Sequence, residues 1–174
     1  VRLLSGATAV HSDMLMWHKE EKPEVAALQL LNILCSVPQV SVRLEEIPAA
    51  HLEMLGFWLR FWRKNRDVLL DGSLAPYSPD LNYPVITAAT AQKQLTAVYT
   101  PQAIVTITAP VPKEVLIVNA SHSNSIVLAV PGNMGTRTIL VQDCRGRQVS
   151  RETRRLEKGV QQIAIPPSGL LTIQ

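Results

Sequence analysis

The chain reads as an α/β segment followed by an all-β segment, and three observations predict that class. Up to residue 72, short strand-like runs alternate with longer runs whose apolar residues recur at helical spacing. From residue 85 onward, short runs rich in Val, Ile and Thr are separated by turn formers at nearly regular intervals, the pattern of an antiparallel β-sandwich. Between the two, Gly72, Pro76, Pro79 and Pro84 crowd a stretch with structure breakers, which marks residues 73–84 as a connector. At 174 residues, with 47% hydrophobic and 18% charged, the chain has enough apolar side chains for an ordinary core, which excludes disordered and collagen-like classes.

The elements follow in order. Residues 7–17 are short and apolar at both faces, as in a strand covered on both sides. "KEEKPEVAALQLLNILCSVP" opens with acidic residues and places Pro23 at a first helical position. It carries Val25, Ala26, Leu28, Leu30, Leu31, Ile33 and Leu34 and stops before Pro38, a helix of about three turns. "QVSVRL" at 39–44 predicts a second strand with Val40, Val42 and Leu44 inward. Pro48 then starts a second helix, with Leu52, Leu55, Leu59 and Trp62 as its buried stripe. Strand, helix, strand, helix with short joints is the order of a parallel α/β fold. Beyond the connector come "VITAAT", "LTAVYT", "AIVTITA", "EVLIVNA", "SIVLAV", "TRTILVQD", "QQIAIP" and "GLLTIQ", separated by "ASHSN", "PGNMG" and "DCRGR" among other turns.

The net charge of +3 comes largely from two clusters, Arg60, Arg63, Lys64 and Arg66 on a helix, and Arg145, Arg147, Arg151, Arg154 and Arg155 on a hairpin. Neither lies in a nucleic-acid-binding motif, and both read as solvated charge, so no nucleic-acid partner is expected. Cys35 and Cys144 read as free thiols rather than a disulfide framework. No uninterrupted apolar stretch reaches about 18 residues, so no membrane span is expected. The chain begins at Val1 inside an apolar pattern without a signal-peptide signature, and it is expected to be a piece of a longer protein. Its compartment is not legible.

His11, Ser12 and Asp13 close an apolar run, so they are expected at a strand's C-terminal end, where parallel α/β barrels place substrate-facing residues. A His beside an Asp there also reads as a structural hydrogen-bonded pair. The triplet is no Ser-His-Asp triad, because adjacent strand residues face opposite ways, and no zinc-binding spacing occurs. Phe57, Trp58, Phe61 and Trp62 read as helix core. Trp17, in the loop after the strand, offers a flat face suited to a sugar ring.

"RLLSGATAVHSDMLMW", "AALQLLNILCSVPQVSVRLEEIP" and "FWLRFWRKNRDVLLDG", the last with Asn65, Arg66, Asp67, Asp71 and Gly72, resemble the last two strand-helix units of the catalytic barrel in melibiase-type α-galactosidases, glycoside hydrolase family 36 and its relatives. The resemblance covers residues 2–84 in sequence and the rest in architecture. It implies that residues 1–72 are the end of a (β/α)8 barrel and residues 85–174 an antiparallel β-sandwich. It also implies a parent enzyme that cleaves α-galactosides or related α-linked sugars with retention, without a cofactor or metal. Both catalytic carboxylates are then expected upstream, with no catalytic residue in this chain, while His11, Asp13 and Trp17 bind substrate. The open edge of an incomplete barrel implies self-association through residues 7–44 or marginal folding there. The other reading is a non-catalytic carbohydrate- or protein-binding β-sandwich module with a helical N-terminal clasp.

Overall fold

Two short segments, Lys93–Val98 and Glu114–Asn119, are buried at every position but their first. Strands written this way need cover on both faces. In the computed structural model, which describes residue 8 and residues 10–174, they become β5 and β7 at the middle of a seven-stranded sheet. The described chain is β-rich with few helices. The strands are β1 (His11–Leu15), β2 (Val37–Val40), β3 (Ser73–Tyr77), β4 (Val85–Ala89), β5, β6 (Ile104–Thr106), β7, β8 (Ser125–Val130), β9 (Gly135–Gln142), β10 (Gln148–Leu156), β11 (Gly159–Ala164) and β12 (Leu170–Ile173). The helices are α1 (Pro23–Leu31), α2 (Ala49–Lys64) and α3 (Arg66–Asp71).

The large sheet runs β10-β9-β12-β7-β5-β4-β3, and a three-stranded sheet runs β11-β8-β6. Strand alternation divides the core in two. Leu95, Ala97, Leu116, Val118 and Leu170 join the helices in one cluster. Val98, Val115, Ile117, Leu171 and Ile173 turn the other way and share a second cluster with Val105, Ile126, Leu128 and Ile163 of the small sheet. Full burial of each such side chain stabilises the fold by about 1.5–3 kcal/mol, so both layers are held by the same strands. The expectation of a wholly antiparallel β segment fails at two places, because β5–β7 and β6–β8 are parallel pairs. After β5 the chain crosses to the small sheet to form β6, and it returns to lay β7 beside β5 in the same direction.

Two buried amides tie the layers. Gln94 Nε2 donates to Thr96 Oγ1 and Thr106 O, and its Oε1 accepts from the backbone N and Oγ1 of Thr108. Ile107 N bonds to Ala129 O of β8, so the backbone groups of Thr106 and Thr108 face away from that strand. The Gln94 side chain therefore supplies the bonds a neighbouring strand would make. At the far end, Asn119 Nδ2 reaches the carbonyls of Ser123, Ile165 and Pro166.

On the other face β1, α1 and β2 form a parallel β-α-β unit, with Pro23 at the start of α1 as its fixed φ favours. Both ends of α1 are bonded to the β layers. The Ser168 hydroxyl donates to Glu24 O in the first turn, and Tyr99 OH donates to Leu31 O in the last, at 3.1 Å.

Several local expectations need correction. The second strand lies at 37–40, not 39–44, and Leu44 is 51% exposed. The first helix ends before Pro38, as expected, and Pro38 itself fits inside β2, because Val37 N bonds to Val10 O and Pro38 thus turns its missing donor to the unpaired side. β1 is not covered on both sides: His11, Asp13 and Met14 are exposed and only Leu15 is buried. On α2 the buried residues are His51, Met54, Leu55, Trp58 and Phe61, whereas Leu52 is 44% exposed and Leu59 and Trp62 are half-buried. Two overlapping stripes have helical spacing here, and the one containing Trp58, Met54 and Phe61 buries more side-chain volume. Trp58 packs edge-on against Phe57 and Phe61 at ring-centre distances of 4.9 and 5.2 Å. Trp62 Nε1 instead donates to Leu34 O and Ser36 O.

The stretch read as a connector carries β3, the edge strand paired with β4, followed by a 3-10 turn at Pro79–Leu81. Gly72 makes the join from helix to sheet possible, because a Cβ there would stand 2.5 Å from Val68 O and 2.9 Å from Ala89 O. The arginine-rich stretch forms the β9–β10 hairpin, where Arg154 pairs with Glu152 at 2.8 Å and Arg155 with Glu157 at 3.8 Å, while Arg147 and Arg145 reach across to Glu53 of α2 at 2.7 and 3.9 Å.

Leu55→Ala should destabilise the chain by about 2–5 kcal/mol in urea unfolding, and Leu52→Ala by less than about 0.5 kcal/mol. Equal losses would contradict the stripe assigned to α2.

Burial, aided by Asp143, pushes the Cys144 thiol up from 9.0 to about 12. Burial, with a contribution from Cys35, also raises the Tyr99 phenol. Both groups stay neutral in the folded chain at pH values where the unfolded chain ionises them. Their contribution is complete below about pH 9 and is lost as pH rises through the folded values. Thermal melts should fall progressively above about pH 9, and Cys144→Ala should remove part of that fall.

Candidate functional site

Because β1 and β2 are parallel, the loops that follow them emerge at the same end. Residues 16–19 after β1 and 41–43 and 46–47 after β2 line a cleft of about 330 Å³, among them Met16, Trp17, His18, Lys19, Arg43 and Glu46. Ligands of parallel α/β folds bind at this end of the strands, where loops vary without disturbing the sheet. The wall is mixed in charge: Lys19 lines it, and Arg43 Nη1 pairs with Glu46 Oε1 at 2.8 Å.

Trp17 of the wall is held from α2. Its Nε1 donates to His51 Nδ1 at 3.1 Å, and the two rings meet edge-on. An indole N–H can only donate, so His51 Nδ1 is the acceptor and the hydrogen of this neutral ring sits on Nε2. That nitrogen donates to Glu21 O at 2.9 Å. His51 is buried, so the chain Trp17–His51–Glu21 links α2 to both ends of the loop after β1.

The end of β1 is irregular. Its pairing register shifts between Ser12 and Leu15, and Met14 has a φ of 59°, so a bulge turns Asp13 and Met14 outward. Ser12 anchors the strand. Ser36 Oγ donates to Ile33 O, which leaves the Ser12 hydroxyl to donate to Ser36 Oγ at 2.7 Å.

Of the three residues singled out from sequence, only Trp17 lines the cleft. His11 and Asp13 lie two residues apart on the exposed side of β1, and His11 opens the described strand rather than closing it. The apolar run before it led to the opposite expectation, and residues 1–7 and 9 lie outside the described part. His18, Lys19, Arg43 and Glu46 were not recognised from sequence. Their signal was available: they are polar residues directly after two strands in short joints to helices, where side chains face the cleft rather than the core.

Among the described residues no cluster of three or more His, Cys, Asp or Glu is placed to share a metal ion, and no helix is long and apolar enough to cross a membrane. Fold and site together define a β-rich protein that carries a parallel β-α-β unit with a cleft at its strand ends. In comparisons with known proteins, the chain matches no family model, no curated protein and no solved structure.

His51→Leu should leave the Trp17 indole hydrogen and Glu21 O without their partner. It should cost about 1–3 kcal/mol in urea unfolding. The Trp17 indole proton should exchange with solvent faster in the variant, and unchanged exchange would refute the assigned chain of bonds.

Proposed function

We propose that this chain is the C-terminal part of a retaining glycoside hydrolase acting on α-galactosides or related α-linked sugars. In this reading residues 1–72 are the last two strand-helix units of a (β/α)8 barrel, and the two sheets that share a core after residue 72 form the β-sandwich that follows it. The observation that carries the reading is the cleft at the C-terminal ends of two adjacent parallel strands, the address of sugar-facing loops in such barrels. A second observation supports it. Among the described residues β1 and β2 pair only with each other, which leaves one open edge on each, as a barrel divided between strands would.

The roles follow from chemistry. Retention needs two carboxylates about 5–5.5 Å apart, one as nucleophile and one as acid/base. The proposal places both on strands upstream of this chain. Trp17 presents its ring to the sugar in an orientation already set by His51, so that little freedom is lost when a sugar stacks on it. His11 and Asp13, both exposed on β1, are assigned to hydrogen-bond sugar hydroxyls or a neighbouring catalytic carboxylate.

The 174-residue chain alone should not turn over an activated aryl α-galactoside, whereas the complete polypeptide should. In the complete enzyme Asp13→Asn should lower the rate by less than about 10²-fold, the lower bound for loss of general acid/base chemistry, and azide should not restore it. Turnover by the isolated chain, or azide rescue of Asp13→Asn, would make Asp13 a catalytic carboxylate and overturn the proposed placement.

A further inference from the structure

A second cavity lies apart from the cleft at the strand ends. It holds about 660 Å³ and lies where the free edge of the large sheet, β3, meets the free edge of the small sheet, β6. Tyr77, Leu81, Pro84, Val85 and Ile104 make its apolar wall, and Thr87 and Thr106 are among its polar members. Tyr77, Leu81 and Ile104 are exposed large apolar side chains gathered at one place. None of the lining residues is Asp, Glu, Lys, Arg or His, so the site has no counter-charge for an ion. A volume of this size suits a small organic ligand.

Counting hydrogens shows what the floor offers. Gln94 Nε2 spends one hydrogen on Thr106 O and the other on Thr96 Oγ1. Thr96 Oγ1 lies 2.9 Å from Thr87 Oγ1, and Thr96 is fully buried. If Thr96 donates to Thr87, every side-chain hydrogen-bonding hydrogen of Gln94 and Thr96 is used, and the Thr87 hydroxyl hydrogen is left for the cavity. The opposite arrangement would strand the Thr96 hydrogen inside the protein. Gln94, Thr96 and Thr87 thus form a relay of aligned donors ending at the cavity.

The edges themselves are poorly suited to an added peptide strand. Gln94 occupies the outward bonds of Thr106 and Thr108, and Pro76 interrupts β3.

We propose that this cavity binds a neutral ligand of glycoside size, which lays an apolar face on Tyr77, Leu81 and Ile104 and accepts a hydrogen bond from Thr87 Oγ1. The site rests on the cavity alone, and the choice of a glycoside as its ligand rests on the function proposed above. It is tested by titrating the isotope-labelled 174-residue chain with 4-nitrophenyl α-galactoside and following backbone amides by NMR. Saturable shifts are expected in residues 77–87 and 102–106. Thr87→Val should weaken binding about fivefold, the order of one hydrogen bond, and Thr87→Ser, which keeps the donor, should restore it. Tyr77→Ala should weaken binding as well. The proposal is overturned by shifts confined to residues 16–19 and 41–47, by equal affinity of the wild-type chain, Thr87→Val and Thr87→Ser, or by equally tight binding of the charged analogue 4-nitrophenyl phosphate.

Discussion

Everything in this chain is arranged around two strands that have no solvent face. β5 and β7 carry apolar or internally bonded side chains in both directions, so neither can exist as the surface of a two-layer protein. The helices satisfy one side and the small sheet the other. This explains why the apolar side chains of α1 and α2 share one cluster with those of β5 and β7. It also explains why the polar side chains on these strands are amides and hydroxyls with complete sets of partners: Gln94, Thr96 and Asn119 are buried completely, where any unpaired group would be costly.

That docking has a consequence for the cleft. α1 is bonded to the β layers at its first and last turns, and α2 is tied to the β9–β10 hairpin through Glu53. The loops after β1 and β2 project from this fixed base. His51, which orients Trp17, belongs to the same helix whose Trp58 fills the core a few residues later. The wall of the cleft is thus an extension of the helix-sheet interface, and its geometry is coupled to how well that interface is packed.

The order of elements was legible because hydrophobic period changes are visible in the sequence. The start of α1 at Pro23, the aromatic core of α2 and the succession of β runs all follow from local spacing. What was not legible depended on partners distant in sequence. Which of two stripes on α2 is buried was decided by the sheet it meets, and the parallel pairing of β5 with β7 by a crossover that leaves no local mark. β10 was hidden for another reason. Its nine residues are mostly charged or polar because it is an exposed edge, and such a strand carries the charges that protect edges rather than a β-type apolar pattern. At the site, Trp17 was recognisable as a flat aromatic face in a loop, whereas the cleft around it required knowing that two strands run in the same direction.

The three tryptophans occupy three kinds of surroundings: Trp17 leans on an imidazole at the mouth of the cleft, Trp62 bonds to two carbonyls at the turn between α1 and β2, and Trp58 lies among Phe rings with no hydrogen-bond partner for its Nε1. Their indole protons therefore differ in polarity and protection without any label being introduced. The molecule carries its own set of spectroscopic probes, one for the cleft, one for the joint and one for the dry interior, and loosening of any one region can be observed separately from melting of the others.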